Sequence, residues 1–184
     1  MIFEYVDTPR LRLRLVSDEQ YAEILHSASD NELALFFGFS RAEQVQAERA
    51  KAQKGVATYN RLFRVFHILQ PQDQRNIGWC GFHSWYTEHS RAEIGYALHS
   101  SDDWGRGYMS EVLPFVLQYG WEALQLHRIE AFIGPENSAS LRLVQKLGFI
   151  QEGHLRQHYR KQGRIEDSLV FALLRSDLPT SNNP

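Results

Sequence analysis

The chain is poor in several things, and each shortage excludes something. Its 184 residues hold one cysteine, Cys80, and two methionines. A lone thiol closes no internal disulfide, so the fold must rest on packing, and the composition suits a reducing cytosol. Cys80 falls in an apolar, aromatic strand pattern and reads as a small buried hydrophobe rather than a nucleophile. No apolar stretch approaches the ~20 residues of a spanning helix, so no membrane partner is expected. Polybasic runs are missing and the net charge is −2, which argues against a broad nucleic-acid surface. Glu4, Asp7, Arg10, Arg12 and Arg14 near the start argue against a signal peptide. Repeats and linkers are absent too. What remains is ordinary globular composition, 43% apolar and 23% charged, on a chain long enough for a sizeable core. One domain over residues 1–178 is expected, with a disordered tail over 179–184.

Periodicity supplies the elements. Leu11, Leu13 and Leu15 alternate with arginines, a half-buried strand. Ser17 to Gln20 fits a capping box before the helical stripe Tyr21, Ile24, Leu25 and Ala28. Leu33 to Phe39 reads as a short helix or a loop. Ser40 to Glu43 reads as a second capping box, opening a polar helix to about Tyr59. Leu62–Leu69, Ile77–Tyr86 and Arg91–Leu98 read as strands in antiparallel hairpins. Val112, Phe115, Val116, Tyr119, Ala123 and Leu124 follow helical spacing. Pro114 and Gly120 fit that helix badly, so a bend or break is expected near Pro114. Arg128–Ile133 is a further strand. A helix capped by Asn137 or Ser138 follows, with Gly148 placed at its C′ position. A hairpin from Phe149 to Leu174 ends the fold.

The stretch Asp102-Asp-Trp-Gly-Arg-Gly-Tyr-Met-Ser-Glu111 stands between a strand and a helix. Bare amides at a helix start attract anions, and glycines let a phosphate come close. Arg106 is positioned to add a charge-assisted bond. The stretch is neither a Walker loop nor a dinucleotide fingerprint. Taken alone, it reads rather as an ordinary turn.

Three other stretches accompany it in order: Thr8-Pro-Arg-Leu-Arg-Leu-Arg14, Glu93-Ile-Gly-Tyr-Ala-Leu98, and Asn137-Ser-Ala-Ser140 followed by Lys146-Leu-Gly-Phe149. Together they resemble the GNAT N-acetyltransferases, most closely the ribosomal-protein-alanine (Rim-type) branch. The likeness runs from about Thr8 to Leu178. It implies an α/β (α+β) fold, a mixed, mostly antiparallel seven-stranded sheet splayed between its fourth and fifth strands, with about four flanking helices. It implies acetyl-CoA as co-substrate and no metal. The diphosphate would lie on backbone amides of Trp104, Gly105, Arg106, Gly107, Tyr108 and Met109. Met109 is bulkier than the family's usual small residue. The pantetheine arm would pair with Tyr96, Ala97 and Leu98 and meet Asn137, whose bland reading is a helix cap.

Acetyl transfer needs a neutral amine, a polarised carbonyl and a stabilised leaving thiolate. An α-amine with a pKa near ~8 is already partly neutral at pH 7, whereas a lysine near ~10.4 needs roughly 4–5 kcal/mol. Glu93 is the candidate base; the bland reading pairs it with Arg91 or Arg128. His83 and His99 are runners-up. Ser140 resembles the residue that serves the leaving sulfur. Tyr108 and Tyr159 are weaker candidates for that acid. His154 and His158 read as a surface pair rather than metal ligands. Trp79, Phe82, Trp85 and Tyr86 read as core packing or as a wall of the acceptor pocket. The expected acceptor is a protein N-terminal α-amine. Alternatives are a small-molecule amine (antibiotic, polyamine or amino acid) and a non-catalytic acyl-CoA sensor. A cytoplasmic monomer or homodimer is expected.

Overall fold

The computed structural model describes residues 2–53, 62–161 and 163–178. Eight strands form one sheet in the order β1-β2-β3-β4-β5-β6-β8-β7. These are β1 (Tyr5–Asp7), β2 (Arg12–Ser17), β3 (Leu62–Leu69), β4 (Asn76–Tyr86), β5 (Arg91–Leu98), β6 (Arg128–Ile133), β7 (Ile150–Lys161) and β8 (Arg164–Leu174). Every pairing is antiparallel except β5 with β6. The sheet thus has one strand more than expected. The extra strand is β1, three exposed residues too short to show a period, held by Tyr5 to Asp7 pairing with Arg14 to Arg12.

Five helices accompany the sheet: α1 (Asp18–Ser27), α2 (Asp30–Phe37), α3 (Ala42–Gln53), α4 (Tyr108–Glu122) and α5 (Ser138–Lys146). The Ser17 box is present, with Gln20 answering it. The ambiguous region is helical from Leu33 to Phe37, the later part of α2, which is opened by a capping box of Ser29 and Glu32 and closed at Gly38. The Ser40–Glu43 box does not form. The Gln44 side chain instead accepts from the Ser40 and Arg41 amides, both at 3.1 Å. The stretch of the expected polar helix from 54 to 59 lies outside the described residues, as does the tail 179–184. Asn137 caps α5, its side chain accepting from the Ser140 amide at 3.1 Å. Gly148 follows in the left-handed region, and the amides of Gly148 and Phe149 close back onto Gln145 and Val144.

The main core joins β2–β6 and β8 to α4 and α5, with Phe82, Val112, Val116, Ile129, Val144 and Phe171 inside it. A second cluster, including Leu25, Leu33, Phe36 and Phe37, packs α1–α3 against Val16 of β2. α4 runs through Pro114 without the expected break; Pro114 is exposed, and Leu113 and Val116 beside it are buried. Burial along that inner stripe offsets the lost hydrogen bond. Gly120 has a packing reason. A Cβ there would stand 2.6 Å from Cζ of the fully buried Phe82. Gly120→Ala should therefore destabilise the fold by about 1–3 kcal/mol despite alanine's better helix propensity. Urea unfolding of the variant checks this.

Candidate active site

β5 and β6 share three parallel rungs, Arg91↔Arg128, Ala92↔Ile129 and Glu93↔Glu130, and then part. β5 stays paired to β4 as far as Leu98, while its other edge from Ile94 onward meets no strand. Unpaired main-chain donors and acceptors are thus presented along Tyr96, Ala97 and Leu98, where an extended ligand is able to add as a strand.

Beyond that edge lies a groove of about 780 Å³, running from Tyr96–Leu98 past Gly105, Gly107 and Met109 to Asn137 and Ser140. Gly105 and Gly107 both sit at positive φ, +71° and +77°. An L side chain is strained in that region, which explains two glycines at the mouth of a helix. Gly107 is the N-cap of α4, and Glu111 makes the first helical bond back to it. The amides of Tyr108, Met109 and Ser110 therefore have no partner within the helix. The Met109 side chain is partly buried against the core and also lines the groove.

Two expected contributors are arranged differently. The Trp104 amide already donates to the Ser101 carbonyl at 3.0 Å, closing the preceding 3-10 turn. The Arg106 side chain turns away, its Nε donating to the Asp102 carbonyl at 2.9 Å, and it does not line the groove. The cation beside the loop is Arg10. Its Nη1 donates to the Arg106 carbonyl at 3.0 Å, its Nη2 lies 3.6 Å from where a Gly107 Cβ would be, and its Nε binds Glu111 at 2.6 Å. Thr8 Oγ1 and the Arg10 amide donate to the same carboxylate at 2.6 and 2.8 Å. The Thr8-Pro-Arg10 segment is thus a clamp on the first turn of α4, a contact that the strand pattern beginning at Leu11 does not announce. Glu111 four residues beyond Gly107 was the clue.

The groove meets a second cavity, of about 480 Å³, at Tyr96, Asn137 and Ser140. Glu93 lines that cavity, in one row across the sheet with His83 of β4 and Glu130 of β6. His83 Nδ1 stands 3.5 Å from Glu93 Oε2. Burial, and next the Glu130 charge, push the Glu93 carboxyl up to about 7. Burial pushes His83 down. The bland pairing of Glu93 is not seen. Arg91 binds Glu130 at 2.7 Å, and Arg128 binds Glu130 at 2.9 Å and Glu152 at 2.5 Å. Gly95 leaves room above β5 for the His83 and Trp79 rings, which a Cβ would meet at 2.8 and 3.0 Å.

Ser140 is half-buried at the third position of α5, where Asn137 supplies the cap. The Tyr96 hydroxyl is buried and has no hydrogen-bond partner among the described residues. Burial raises its pKa, and the nearby Ser140 hydroxyl draws it back. Sequence reasoning gave Tyr96 only a backbone role; the hydroxyl at the junction is new. Tyr159 also lines the Glu93 cavity. Tyr108 lies under the Arg10 guanidinium, its hydroxyl 3.4 Å from Gln70 Nε2. His99 lines a different cavity. Of the four aromatics, Trp79 lines the Glu93 cavity and a second one beside it. Phe82 is in the core, Trp85 packs against it, and Tyr86 lies beneath Arg91. A bulge past His83, with Ser84 at φ +48°, breaks the alternation there. Cys80 is fully buried and burial raises its thiol pKa. His154 binds Asp167 at 2.8 Å and His158 packs at a tilt against Phe132. Among the described residues no His, Cys, Asp or Glu group is arranged to hold a metal.

Open left-handed glycines, unbonded amides, an adjacent guanidinium and a free strand edge together fit acetyl-CoA. Arg10→Ala should weaken CoA binding by about tenfold, the scale of one charge-assisted hydrogen bond, and Arg106→Ala should change it little. Calorimetry with CoA checks both.

The profile of the acetyltransferase (GNAT) domain matches residues 10–150. The chain is 33% identical to the uncharacterised N-acetyltransferase YoaA of Bacillus subtilis (strain 168), over 95% of this chain and 98% of that one. The crystal structure of a GNAT acetyltransferase from Bacillus anthracis superposes with a TM-score of 0.63 at 24% identity, covering 93% of this chain and 98% of that one. More distantly, the chain is 25% identical to the ribosomal protein uS5-alanine N-acetyltransferase of Escherichia coli, over 90% of this chain and 93% of that one. A spermidine N(1)-acetyltransferase of Vibrio cholerae is 31% identical over 39% of this chain and 42% of that one. Among the described residues no helix is long and apolar enough to cross a membrane. With a split sheet, an anion-ready helix start and a carboxyl poised near neutrality, the chain belongs to the GNAT acetyltransferase family and is an acetyl-transferring enzyme.

Proposed function

We propose that the enzyme, acting as one domain over residues 1–178, carries the acetyl group of acetyl-CoA directly to a primary α-amine. The observation that carries this reading is the junction itself. The groove with the free strand edge and the cavity holding Glu93 share Tyr96, Asn137 and Ser140. An acyl group at the end of an arm laid along β5 would arrive within reach of both hydroxyls and the carboxylate.

Each chain residue has a defined task. The amides of Gly105 and Gly107 to Ser110, with Arg10, hold the diphosphate. The edge of β5 and the Asn137 Nδ2 orient the arm, the Asn137 oxygen being spent on its own helix. Glu93 accepts the proton that the amine sheds as its nitrogen bonds to the acyl carbon. The carbon–sulfur bond then breaks, its electron pair stays on sulfur, and the Ser140 and Tyr96 hydroxyls donate hydrogen bonds to that sulfur until a solvent proton reaches it. A base with a pKa near 7 matches an α-amine of ~8 and is too weak for an ordinary lysine. The distant likeness to the uS5-alanine enzyme supports an N-terminal α-amine as acceptor.

At saturating amine, the kcat of the wild-type enzyme should fall below pH 7 along a limb set by Glu93, whereas kcat/KM also carries the amine's own ionisation near ~8. Glu93→Gln should remove that limb and lower kcat by ~10²-fold or more. A retained limb would remove Glu93 from the mechanism. Stability gives an independent reading. Because the folded carboxyl titrates near 7, above its usual range, its favourable contribution is complete at low pH and is lost as pH rises through 7. The Tm of Glu93→Gln should accordingly gain on that of the wild type between pH 5 and pH 8, by scanning calorimetry.

A further inference from the structure

We propose that the acceptor carries an uncharged, apolar body next to its primary amine, seated in an aromatic bowl between the α1–α3 layer and β3–β4. This rests on the Glu93 cavity being the place of reaction. The bowl holds about 590 Å³. Trp79 and His83 line both it and the Glu93 cavity, so one molecule can place its amine at Glu93 and its body in the bowl. A bowl of this size takes a leucine- or phenylalanine-sized group with room to spare.

Its walls are Tyr21, Phe37, Phe39, Phe63, Val65 and Trp79. Tyr21 meets Phe37 and Phe63 edge-on at 5.4 and 5.2 Å, and Phe37 stacks on Phe39 at 5.4 Å, so the wall is set before a ligand arrives. Its carboxylate and its buried histidine are already engaged. Glu48 is the one carboxylate lining the bowl among the described residues, and it accepts from the Tyr21 hydroxyl and from Lys51 Nζ at 2.8 Å. His67 is buried in the floor; its Nδ1 accepts from Arg14 Nη2 at 2.8 Å, which leaves its ring proton on Nε2. Behind it the Arg14 guanidinium lies over the Phe36 ring at 4.0 Å and donates to the Phe36 carbonyl at 2.8 Å. A second cationic group on the acceptor would therefore meet Lys51 in the wall, with Arg14 behind the His67 floor, and find Glu48 already paired. A polyamine, or an amine bearing a lysine or arginine side chain, is the wrong chemistry for this bowl.

The test is calorimetry on the full chain with CoA present, titrating leucinamide, glycinamide, lysinamide and spermidine, with CoA release measured in parallel using acetyl-CoA. Leucinamide should bind about tenfold or more tighter than glycinamide, the usual worth of filling an apolar pocket. Val65→Phe, which fills the bowl, and Phe39→Ala, which opens its wall, should each erase most of that preference and leave glycinamide unchanged. Equal binding of all four ligands, tighter binding of lysinamide or spermidine, or a leucine preference that survives both variants would overturn the proposal. Leucinamide that binds with this preference and is never acetylated keeps the bowl and contradicts the α-amine function. Acetylation without the preference keeps the function and contradicts the bowl. A Leu-Ala-Ala peptide separates the two sources of such an amine: binding as tight as the amide points to a peptide N-terminus, and much weaker binding points to a free small molecule, either supporting the bowl.

Discussion

The parting of β5 from β6 after three rungs is the constraint on which the rest depends. A continuous ladder would satisfy the β5 edge internally and close the space between Tyr96 and Ile133. Because the strands separate instead, backbone polar groups are left facing a groove, at a cost the sheet offsets elsewhere by its antiparallel ladders. The last rung carries Glu93 opposite Glu130, so the base sits at the apex of the opening. α4 and α5 bring the loop amides and Asn137 to the two ends of the same groove.

Charge placement around the apex follows from that geometry. Two arginines flank the last rung, and each would pull Glu93 down into the ordinary carboxylate range if it bound there. Both are instead engaged by Glu130, with Glu152 holding Arg128 from β7. Burial is the main cause of the raised Glu93 pKa; Glu130 adds its repulsion and also keeps the arginines off, leaving a carboxyl that titrates near neutrality. At the helix start of α4 the unbonded amides, the dipole and Arg10 favour an anion, against the Asp103 carboxylate that lines the same groove and the Glu111 carboxylate that holds Arg10.

Much of this was legible in the sequence where one side chain type at one position has few explanations. The alternating leucines, the Ser17 box, the Asn137 cap and the paired glycines at 105 and 107 each dictated a local conformation that the structure contains. What was hidden depended on partners distant in sequence. Arg10 and Arg106 are equally good cations on paper, and only the fold turns Arg106 onto Asp102 and brings Arg10 across some hundred residues to Glu111. Pro114 looked disruptive because its exposed position, with Leu113 and Val116 buried on the opposite stripe, is a tertiary fact. The aromatic run from Trp79 to Tyr86 looked like one wall, but strand alternation and a bulge send its members to different faces. The Tyr96 hydroxyl was masked by a reading of β5 that considered only its backbone.

The most direct measurement is a crystal structure of the protein with CoA bound. The account predicts the diphosphate on the amides of Gly105 and Gly107 to Ser110, the pantetheine arm beside Tyr96 to Leu98, and the sulfur next to Ser140 and Tyr96. CoA seated away from the opening between β5 and β6, or with its sulfur remote from Glu93 and Ser140, would contradict it.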